Sequence, residues 1–294
     1  MKILVIFFLL VGIPVVSQVL DNRKGEAFTD RPFFNQTFIK ENKLKKLSGS
    51  FVYKKPGELM HKTKYKYVYE FDSLGHLIAT YETRTDDGTK DTTWNLYEYD
   101  DSDRLLIHRK TDQEGFTTVH YAFDSIGRII SEEFKRDIVN DANIIERSLT
   151  FNKENSTYVT YDNQTKRTRY NNYGLPYIDE YYNYNDLGYL VEHVERIKMT
   201  STVYTSHYEY NREGRLAAIR KSSNQEDGYI EELLFDYDAL GNLVEKHIYK
   251  RGVFTTDIQI IYNSKSKLLA TVITRQVSTG FMTILRFQDY IFFD

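Results

Sequence analysis

Hydrophobic and polar residues alternate with a period of two along most of the chain. Between Tyr65 and Phe71 every second residue is aromatic, and Lys66, Val68 and Glu70 fill the positions between them. This alternation predicts a β-strand with one buried face. No segment shows a convincing 3.6-residue period, so the pattern indicates an all-β protein in which helix is nearly absent.

A short motif ends many of these strand patterns. It reads aromatic-x-aromatic-Asp/Asn-x-x-Gly-x-Leu/Ile, and its recurrence identifies an internal repeat. Complete copies cover residues 69–77, 121–129, 182–190, 208–216 and 235–243. Incomplete copies cover residues 51–59, 97–105, 149–157, 168–176 and 260–268.

Each copy predicts the tip of a β-hairpin. The Asp or Asn side chain caps a type I turn, and the Gly three residues later takes the left-handed conformation of a G1 bulge. The residue before the Asp or Asn then faces the second residue after the Gly, which pairs an aromatic ring with an aliphatic side chain. The complete copies pair Phe71 with Leu77, Phe123 with Ile129, Tyr184 with Leu190, Tyr210 with Leu216, and Tyr237 with Leu243. Their turn residues are Asp72 and Gly75, Asp124 and Gly127, Asn185 and Gly188, Asn211 and Gly214, and Asp238 and Gly241. Two incomplete copies add Tyr99 with Leu105 and Tyr262 with Leu268.

The repeat also predicts how the units are arranged. Ten hairpins imply about twenty antiparallel strands, and the simplest arrangement is a long sheet that coils into a spiral and buries its Tyr/Leu face. We expect residues 18–48 to form an N-terminal lead-in or cap. Residues 49–294 form the repeat domain, and residues 281–294 are its closing hairpin or terminal strand. Asn140-Asp141 and Asp162-Asn163 indicate additional turns.

Residues 1–17 have the pattern of a secretory signal peptide. Lys2 supplies the positive charge, residues 3–16 are apolar apart from Gly12 and Pro14, and small residues end the segment at Ser17. The chain contains no cysteine, which removes both a disulfide framework and a lipid-anchored cleavage site. We therefore expect an exported protein in the periplasm, at the cell surface or outside the cell, with no transmembrane span after cleavage.

The motif resembles the YD repeat of the Rhs family, in which Tyr-x-Tyr-Asp-x-x-Gly-x-Leu recurs along large secreted bacterial proteins and related animal adhesion proteins. The resemblance covers roughly residues 50–270. It implies a spiralling β-sheet shell in which the matching aromatic, Asp/Asn, Gly and Leu positions are structural. Toxin-bearing members end their repeats with an Asp-Pro-containing self-cleavage segment, whereas none of the four prolines here follows Asp. The resemblance is thus to a short member without a toxin.

An outer-membrane β-barrel is the alternative architecture, because a signal peptide, many tyrosines and antiparallel strands all suit one. Counting by twos from the motif Leu or Ile places charged residues on the Tyr/Leu face, and charges that face lipid are costly. The sequence therefore favours a soluble sheet with a narrow core. The charged residues placed on that face are Arg109, Glu133, Glu192, Arg220 and Glu245.

Nothing in the sequence supports catalysis. We find no Gly-x-Ser-x-Gly, no His-Glu-x-x-His and no phosphate-binding Gly-rich loop. None of the seven histidines pairs with another at metal-ligand spacing, so we predict no metal and no cofactor. A net charge of −3, from 39 Lys+Arg and 42 Asp+Glu, does not suit a nucleic-acid partner. The alternative is a carbohydrate-active enzyme whose two carboxylates converge from different strands.

The tyrosines outside the motif suggest a binding site. They are densest between residues 170 and 189, where exposed rings can stack on a sugar or grip a surface protein. The predicted ligand-binding residues are Tyr173, Tyr177, Tyr181 and Tyr189, and local repacking around a shortened repeat is the alternative. We therefore expect a non-enzymatic binding or scaffold protein at the bacterial surface with a glycan or protein partner. A component of a toxin-delivery or adhesion system is a further alternative.

Overall fold

The computed structural model describes residues 18–83, 92–112, 115–140 and 144–294. These residues form eighteen strands and one short helix, which confirms the all-β class. The elements are α1 (Gln36–Glu41), β1 (Leu44–Lys54), β2 (His61–Phe71), β3 (Leu77–Thr83), β4 (Thr92–Tyr99), β5 (Leu105–Thr111), β6 (Gly115–Phe123), β7 (Ile129–Val139), β8 (Ile145–Thr160), β9 (Gln164–Tyr170), β10 (Pro176–Tyr184), β11 (Leu190–Ile197), β12 (Thr202–Tyr210), β13 (Leu216–Ser223), β14 (Glu226–Tyr237), β15 (Leu243–Lys250), β16 (Val253–Tyr262), β17 (Leu269–Gln276) and β18 (Met282–Phe292).

The eighteen strands form one antiparallel meander that closes into a barrel. Each strand pairs with its neighbours in the chain, and β1 pairs with β2 along one edge and with β18 along the other. Leu47 lies opposite Tyr69 in β2, and Phe51 lies opposite Leu285 in β18. The predicted open spiral is therefore wrong. The sheet closes because β1 pairs with strands near both ends of the chain. A contact between residues so far apart leaves no local pattern in the sequence.

The hairpin tips have the predicted register at every complete copy of the motif. Phe71 lies opposite Leu77, Phe123 opposite Ile129, Tyr184 opposite Leu190, Tyr210 opposite Leu216 and Tyr237 opposite Leu243. Tyr99 also lies opposite Leu105.

Three incomplete copies of the motif depart from the prediction. Tyr53 of the copy at residues 51–59 lies opposite His61 rather than Leu59. Tyr262 lies opposite Leu269 rather than Leu268, because the turn that begins at Asn263 lacks Gly and is one residue longer. Residues 149–157 form no tip and lie within β8. The chain turns instead at the two extra positions that the sequence indicates, where Asn140 N donates to Ile144 O and Tyr161 N donates to Gln164 O.

A bulge follows each predicted tip and reverses which residues face inward. In β15, Lys246 lies opposite the buried Phe235 and reaches Ala27 inside the barrel, whereas Glu245 lies opposite the exposed Asp236 on the outer face. The extra bulged residue is the reason, since it breaks the count by twos. The expectation that five charged residues share the Tyr/Leu face is therefore wrong. Arg109, Glu133, Glu192, Arg220 and Glu245 all lie on the outer face.

Residues 18–43 fold into the barrel and supply much of its core. Val19, Leu20 and Ile39 are at most 3% exposed, and the Phe34 ring meets the Phe71 ring edge-on at 4.9 Å. Of the segment predicted as a lead-in, residues 44–48 belong to β1 and therefore to the wall. The predicted signal peptide, residues 1–17, lies outside the described residues. Among those described, no helix is long and apolar enough to cross a membrane.

Six tyrosine hydroxyls form hydrogen bonds to backbone carbonyls of a preceding hairpin. Tyr237 in β14, for example, donates to the carbonyl of Leu216, the first residue of β13, at 2.7 Å. Burial removes the apolar ring from water, and the carbonyl accepts a hydrogen bond from the hydroxyl. Tyrosine therefore suits this position better than phenylalanine. The other bonds of this set run from Tyr99 to Leu77, Tyr158 to Ile129, Tyr210 to Leu190, Tyr262 to Leu243 and Tyr290 to Leu269, at 2.7–3.0 Å.

Lys246 is a buried cation that connects the wall to the N-terminal segment. Its Nζ donates to Ala27 O at 2.8 Å and lies 5.9 Å from the centre of the Phe235 ring. Burial lowers the pKa of Lys246 from 10.5 to about 8. The unfolded chain therefore keeps this proton up to a higher pH than the folded chain, and stability rises with pH between those two values.

We expect Lys246→Met to remove this rise of stability with pH. Between pH 8 and 9.5 the wild type gains about 1–2 kcal/mol of unfolding free energy from Lys246, and the variant does not. The tyrosines that begin to titrate at the upper end of this window are the same in both proteins, so the difference between the two profiles isolates Lys246. Urea unfolding of both proteins across the window measures the effect, and parallel pH profiles would contradict the assignment.

Candidate functional site

The candidate site is the end of the barrel that carries the complete motif tips, called here the tip end. The tips at residues 72–76, 100–104, 124–128, 185–189, 211–215 and 238–242 all lie at this end because they join even-numbered strands to the next odd-numbered strand. Clefts open there between the tips and the N-terminal segment, with cavities of about 610, 450 and 410 Å³. The motif-like tip at residues 263–268 also lies at the tip end, whereas those at residues 55–60 and 171–175 lie at the opposite end.

The largest of these three cavities, the histidine cleft, is lined by His76 and its neighbours. His76 is only 5% exposed and stacks on the Tyr99 ring at 4.3 Å. Its Nδ1 lies 2.8 Å from Asp72 Oδ2, and its Nε2 lies 2.9 Å from Asp103 Oδ1. Because both ring nitrogens are engaged by carboxylates, neither is left to exchange a proton with a substrate. His76 therefore fastens two tips together.

The smallest of the three cavities, the tyrosine cleft, is lined by tyrosines from four strands or tips. The Tyr189 and Tyr210 rings lie 4.8 Å apart at an angle of 45°. Tyr237 donates to Leu216 O and accepts a 3.0 Å hydrogen bond from Asn22 Nδ2 of the N-terminal segment. Burial raises the pKa of Tyr184, Tyr210 and Tyr237, which keeps them neutral. The cleft thus offers uncharged aromatic surface.

Arg215 supplies the positive charge of the tyrosine cleft. Its guanidinium carbon lies 6.0 Å from the centre of the Tyr237 ring, and it forms no salt bridge to any residue that the structure describes. Arg23, the other arginine at this cleft, is paired with Asp21 at 2.5 Å. Arg215 is therefore the cation that remains available to an anionic group.

The structure does not bring the four predicted tyrosines together. Tyr189 lines the tyrosine cleft, whereas Tyr173 is 87% exposed at a tip of the opposite end. Tyr181 lies on the outer face between Lys166 and Arg196, with 5.4 and 5.5 Å from the cations to its ring centre.

Tyr177 is separated from Tyr181 by an irregularity in β10. The register shift between Pro176 and Ile178 breaks the alternation that would place Tyr177 and Tyr181 on one face. Tyr177 instead lies beside Arg169 on the inner face, where burial raises its pKa.

Sequence reasoning missed the other residues of the tyrosine cleft. Tyr184, Tyr210 and Tyr237 are motif residues and were assigned to the core, and Asn22 lies in a segment without repeats. Arg215 did carry a local signal, since it follows the motif Gly, the position that Arg104 and Arg128 occupy in other copies. The partnership of the N-terminal segment with the tips had no such signal.

Charged residues also line the interior of the barrel between β7 and β10. Arg167 contacts Glu132 at 2.5 Å and Glu180 at 3.3 Å, and Arg169 pairs with Glu154. All five side chains are less than one-fifth exposed. Because their charges are paired with one another, we assign this set to stability rather than to ligand binding.

No protein-family model and no curated protein matches this chain. Among solved structures, a porin-like protein from Bacteroides uniformis ATCC 8492 is 11% identical with a TM-score of 0.29, over 84% of this chain and 96% of that one. A porin-like protein from Bacteroides vulgatus ATCC 8482 is 12% identical with a TM-score of 0.34, over 83% and 97%. The Photorhabdus luminescens Tc holotoxin pore is 11% identical with a TM-score of 0.21, over 74% of this chain and 14% of that one. Similarity at this level transfers no property to this protein.

Proposed function

We propose that this protein is an exported, non-enzymatic binding protein of the bacterial envelope that holds an acidic glycan in the tyrosine cleft. The observation that carries the proposal is the lining of this cleft by Tyr184, Tyr189, Tyr210 and Tyr237 around Arg215. Aromatic rings stack on the apolar faces of sugars, and an arginine binds a carboxylate through two parallel hydrogen bonds.

The engaged hydroxyls support a stacking role for two of these tyrosines. Tyr210 and Tyr237 donate to backbone carbonyls, which fixes their rings and leaves their faces and edges for contact. Gln18, a polar residue of the N-terminal segment, lies at the same cleft and can hydrogen-bond sugar hydroxyls. A cleft that combines aromatic surface, an amide and one guanidinium without a salt bridge to any described residue suits a sugar that bears a carboxylate.

The non-enzymatic assignment rests on His76. Its two nitrogens are held by Asp72 and Asp103, so the best-placed imidazole at the tip end has no free nitrogen for catalysis. Those two carboxylates in turn hold the histidine, which argues against their use as a general acid and base.

The outer face of the barrel supports a role outside the lipid bilayer. Ion pairs between Arg109 and Glu98, between Arg220 and Glu232, and between Lys166 and Asp179 lie on that face. An arginine or lysine on a lipid-facing wall costs about 2–4 kcal/mol at the bilayer midplane. We therefore propose the periplasm, the cell surface or the extracellular medium as its location.

The test is glycan binding by the full chain and by Tyr189→Ala. We expect the wild type to retain acidic glycans on an array, and Tyr189→Ala to weaken binding of the best ligand at least tenfold, about 1.4 kcal/mol, in calorimetry. Arg215→Gln is expected to weaken acidic glycans and to leave their neutral counterparts unchanged.

Tyr173→Ala is the matched control, because Tyr173 is an exposed tyrosine of a motif-like tip at the opposite end. Its affinity is expected to equal that of the wild type. A wild-type protein that retains no glycan, or an equal loss in both tyrosine variants, would contradict the proposal.

A further inference from the structure

Four side chains that could bind a metal converge on the outer face of β14, β15 and β16. Glu245 lies opposite Asp236, and His247, two residues along the same strand, lies opposite Asp257. One ligand atom each of Asp236, Glu245 and His247 lies within 4.8 Å of the other two. We call Asp236, Glu245, His247 and Asp257 the outer-wall cluster.

Two distances from His247 match the spacing of ligands around one metal ion. His247 Nε2 lies 3.5 Å from Glu245 Oε2 and 3.4 Å from Asp257 Oδ1. A tetrahedral ion with bonds of about 2.0–2.1 Å separates its ligand atoms by about 3.3–3.4 Å. Glu245 Oε2 and Asp257 Oδ1 each therefore lie at a distance from His247 Nε2 that suits two ligands of such an ion.

Asp257 gives an independent indication that a ligand is needed. The residue is only 6% exposed, and its Oδ1, the atom that faces His247, has no hydrogen-bond partner among the described residues. A buried carboxylate oxygen without a partner is costly, and a cation at the cluster would satisfy it.

Neighbouring residues hold two of the ligands in place. Arg275 Nη2 lies 3.1 Å from Asp257 Oδ2, which occupies the second carboxylate oxygen and leaves Oδ1 directed at His247. The ring of Phe254 meets the imidazole of His247 edge-on at 5.2 Å and limits its rotation. Such outer contacts are what orient the ligands in metal sites.

We propose that the outer-wall cluster binds one divalent transition-metal ion of the zinc class. One imidazole with carboxylates is a donor set that suits Zn²⁺, and rigid positions on three paired strands favour a fixed geometry. The site is separate from the tyrosine cleft, because its residues lie on the outer face and the cleft opens between the tips and the N-terminal segment.

The experiment is a calorimetric titration of the full chain, freed of metal by a chelator, with Zn²⁺. We expect one equivalent to bind, and we expect His247→Gln and Asp257→Asn each to weaken the affinity at least tenfold. Zn²⁺ should also raise the unfolding temperature of the wild type and leave that of His247→Gln unchanged, because the ion stabilises only a chain that binds it.

His207→Gln is the matched control. His207 is likewise an outer-face histidine beside a glutamate, with Nδ1 3.7 Å from Glu192 Oε1, but it does not belong to the cluster. We expect its zinc affinity to equal that of the wild type. Failure of the wild type to bind Zn²⁺, or an equal loss of affinity in the His207 and His247 variants, overturns the proposal. If one cluster variant fails to fold without metal, the other decides by the same criterion.

Discussion

Gly75→Ala is expected to lower the free energy of unfolding by about 3–5 kcal/mol. Gly75 has a φ of +91°, which an alanine adopts only at a cost of about 1–2 kcal/mol. The larger loss comes from helix α1, which lies against this tip. An added Cβ would come within 2.9 Å of Lys40 N and closer still to Gln36 O. Both are backbone atoms, so no side-chain rotation relieves the clash.

Gly188→Ala is the matched control for this prediction. Gly188 occupies the same position of the motif with a φ of +80°, but nothing lies within 4 Å of the Cβ that the substitution would add. We expect a loss of only about 1–2 kcal/mol, the conformational cost alone. Chemical denaturation of both variants gives the comparison. Equal losses would mean that the N-terminal segment does not rest on the tip that contains Gly75.

The contrast between these two glycines shows how far the sequence predicts the fold. The turn chemistry of the motif depends on residues next to one another, so the pairing of Phe71 with Leu77 could be predicted from the chain alone. The close contact of Gly75 with α1 could not be predicted, because the two segments are not neighbours in the sequence. Closure of the barrel through β1 was missed for the same reason.

The bulge after each tip explains why the sequence did not predict which residues face outward. Counting by twos assumes an unbroken pleat, and one extra residue moves every later side chain to the other face. Glu245 and Lys246 exchanged faces in this way relative to the prediction. The outer-wall cluster was invisible to sequence spacing because it combines this reversal with partners from three strands.

The role of the many tyrosines could be recognised only in the structure. Tyr99 and Tyr237 bond carbonyls of the preceding hairpin, a contact between repeats rather than within one. Phe123 lacks a hydroxyl, and at that position Arg104 lies over the ring at 4.9 Å and donates to Asp124 O instead. The tyrosine cleft could be predicted only in part, because its four rings belong to two neighbouring hairpin units and the strand after them.

Arg167→Met is expected to destabilise the protein by about 3–5 kcal/mol at pH 7. Arg167 lies inside the barrel between Glu132 and Glu180, with exposed side-chain fractions of 11%, 13% and 6%. Its Nε also donates to Ser156 Oγ at 2.9 Å. Removing the guanidinium leaves two carboxylates buried without their shared cation, and the loss follows from those uncompensated charges.

The pH dependence distinguishes this cause from a simple loss of packing. In the wild type, burial alone would raise the pKa of Glu180, but the nearby His193, with Nε2 3.5 Å from Glu180 Oε1, and the charge of Arg167 outweigh it and lower that pKa. The stability that Glu180 contributes is then present above its unfolded pKa near 4.5 and is lost as the pH falls through the lower folded pKa. Without Arg167 the burial dominates and raises the carboxyl pKa values, so the variant should gain stability as the pH falls from 7 towards 5.

A triple variant, Arg167→Met with Glu132→Gln and Glu180→Gln, distinguishes the effect of unpaired charge from that of lost packing. It removes the cation and both of its anionic partners, so we expect it to recover most of the loss and to show no gain towards pH 5. Urea unfolding at pH 7 and pH 5 measures all three proteins. If the triple variant is as unstable as Arg167→Met at both pH values, the loss comes from packing around Tyr158, whose ring lies 6.0 Å from the Arg167 guanidinium carbon, and not from unpaired charge.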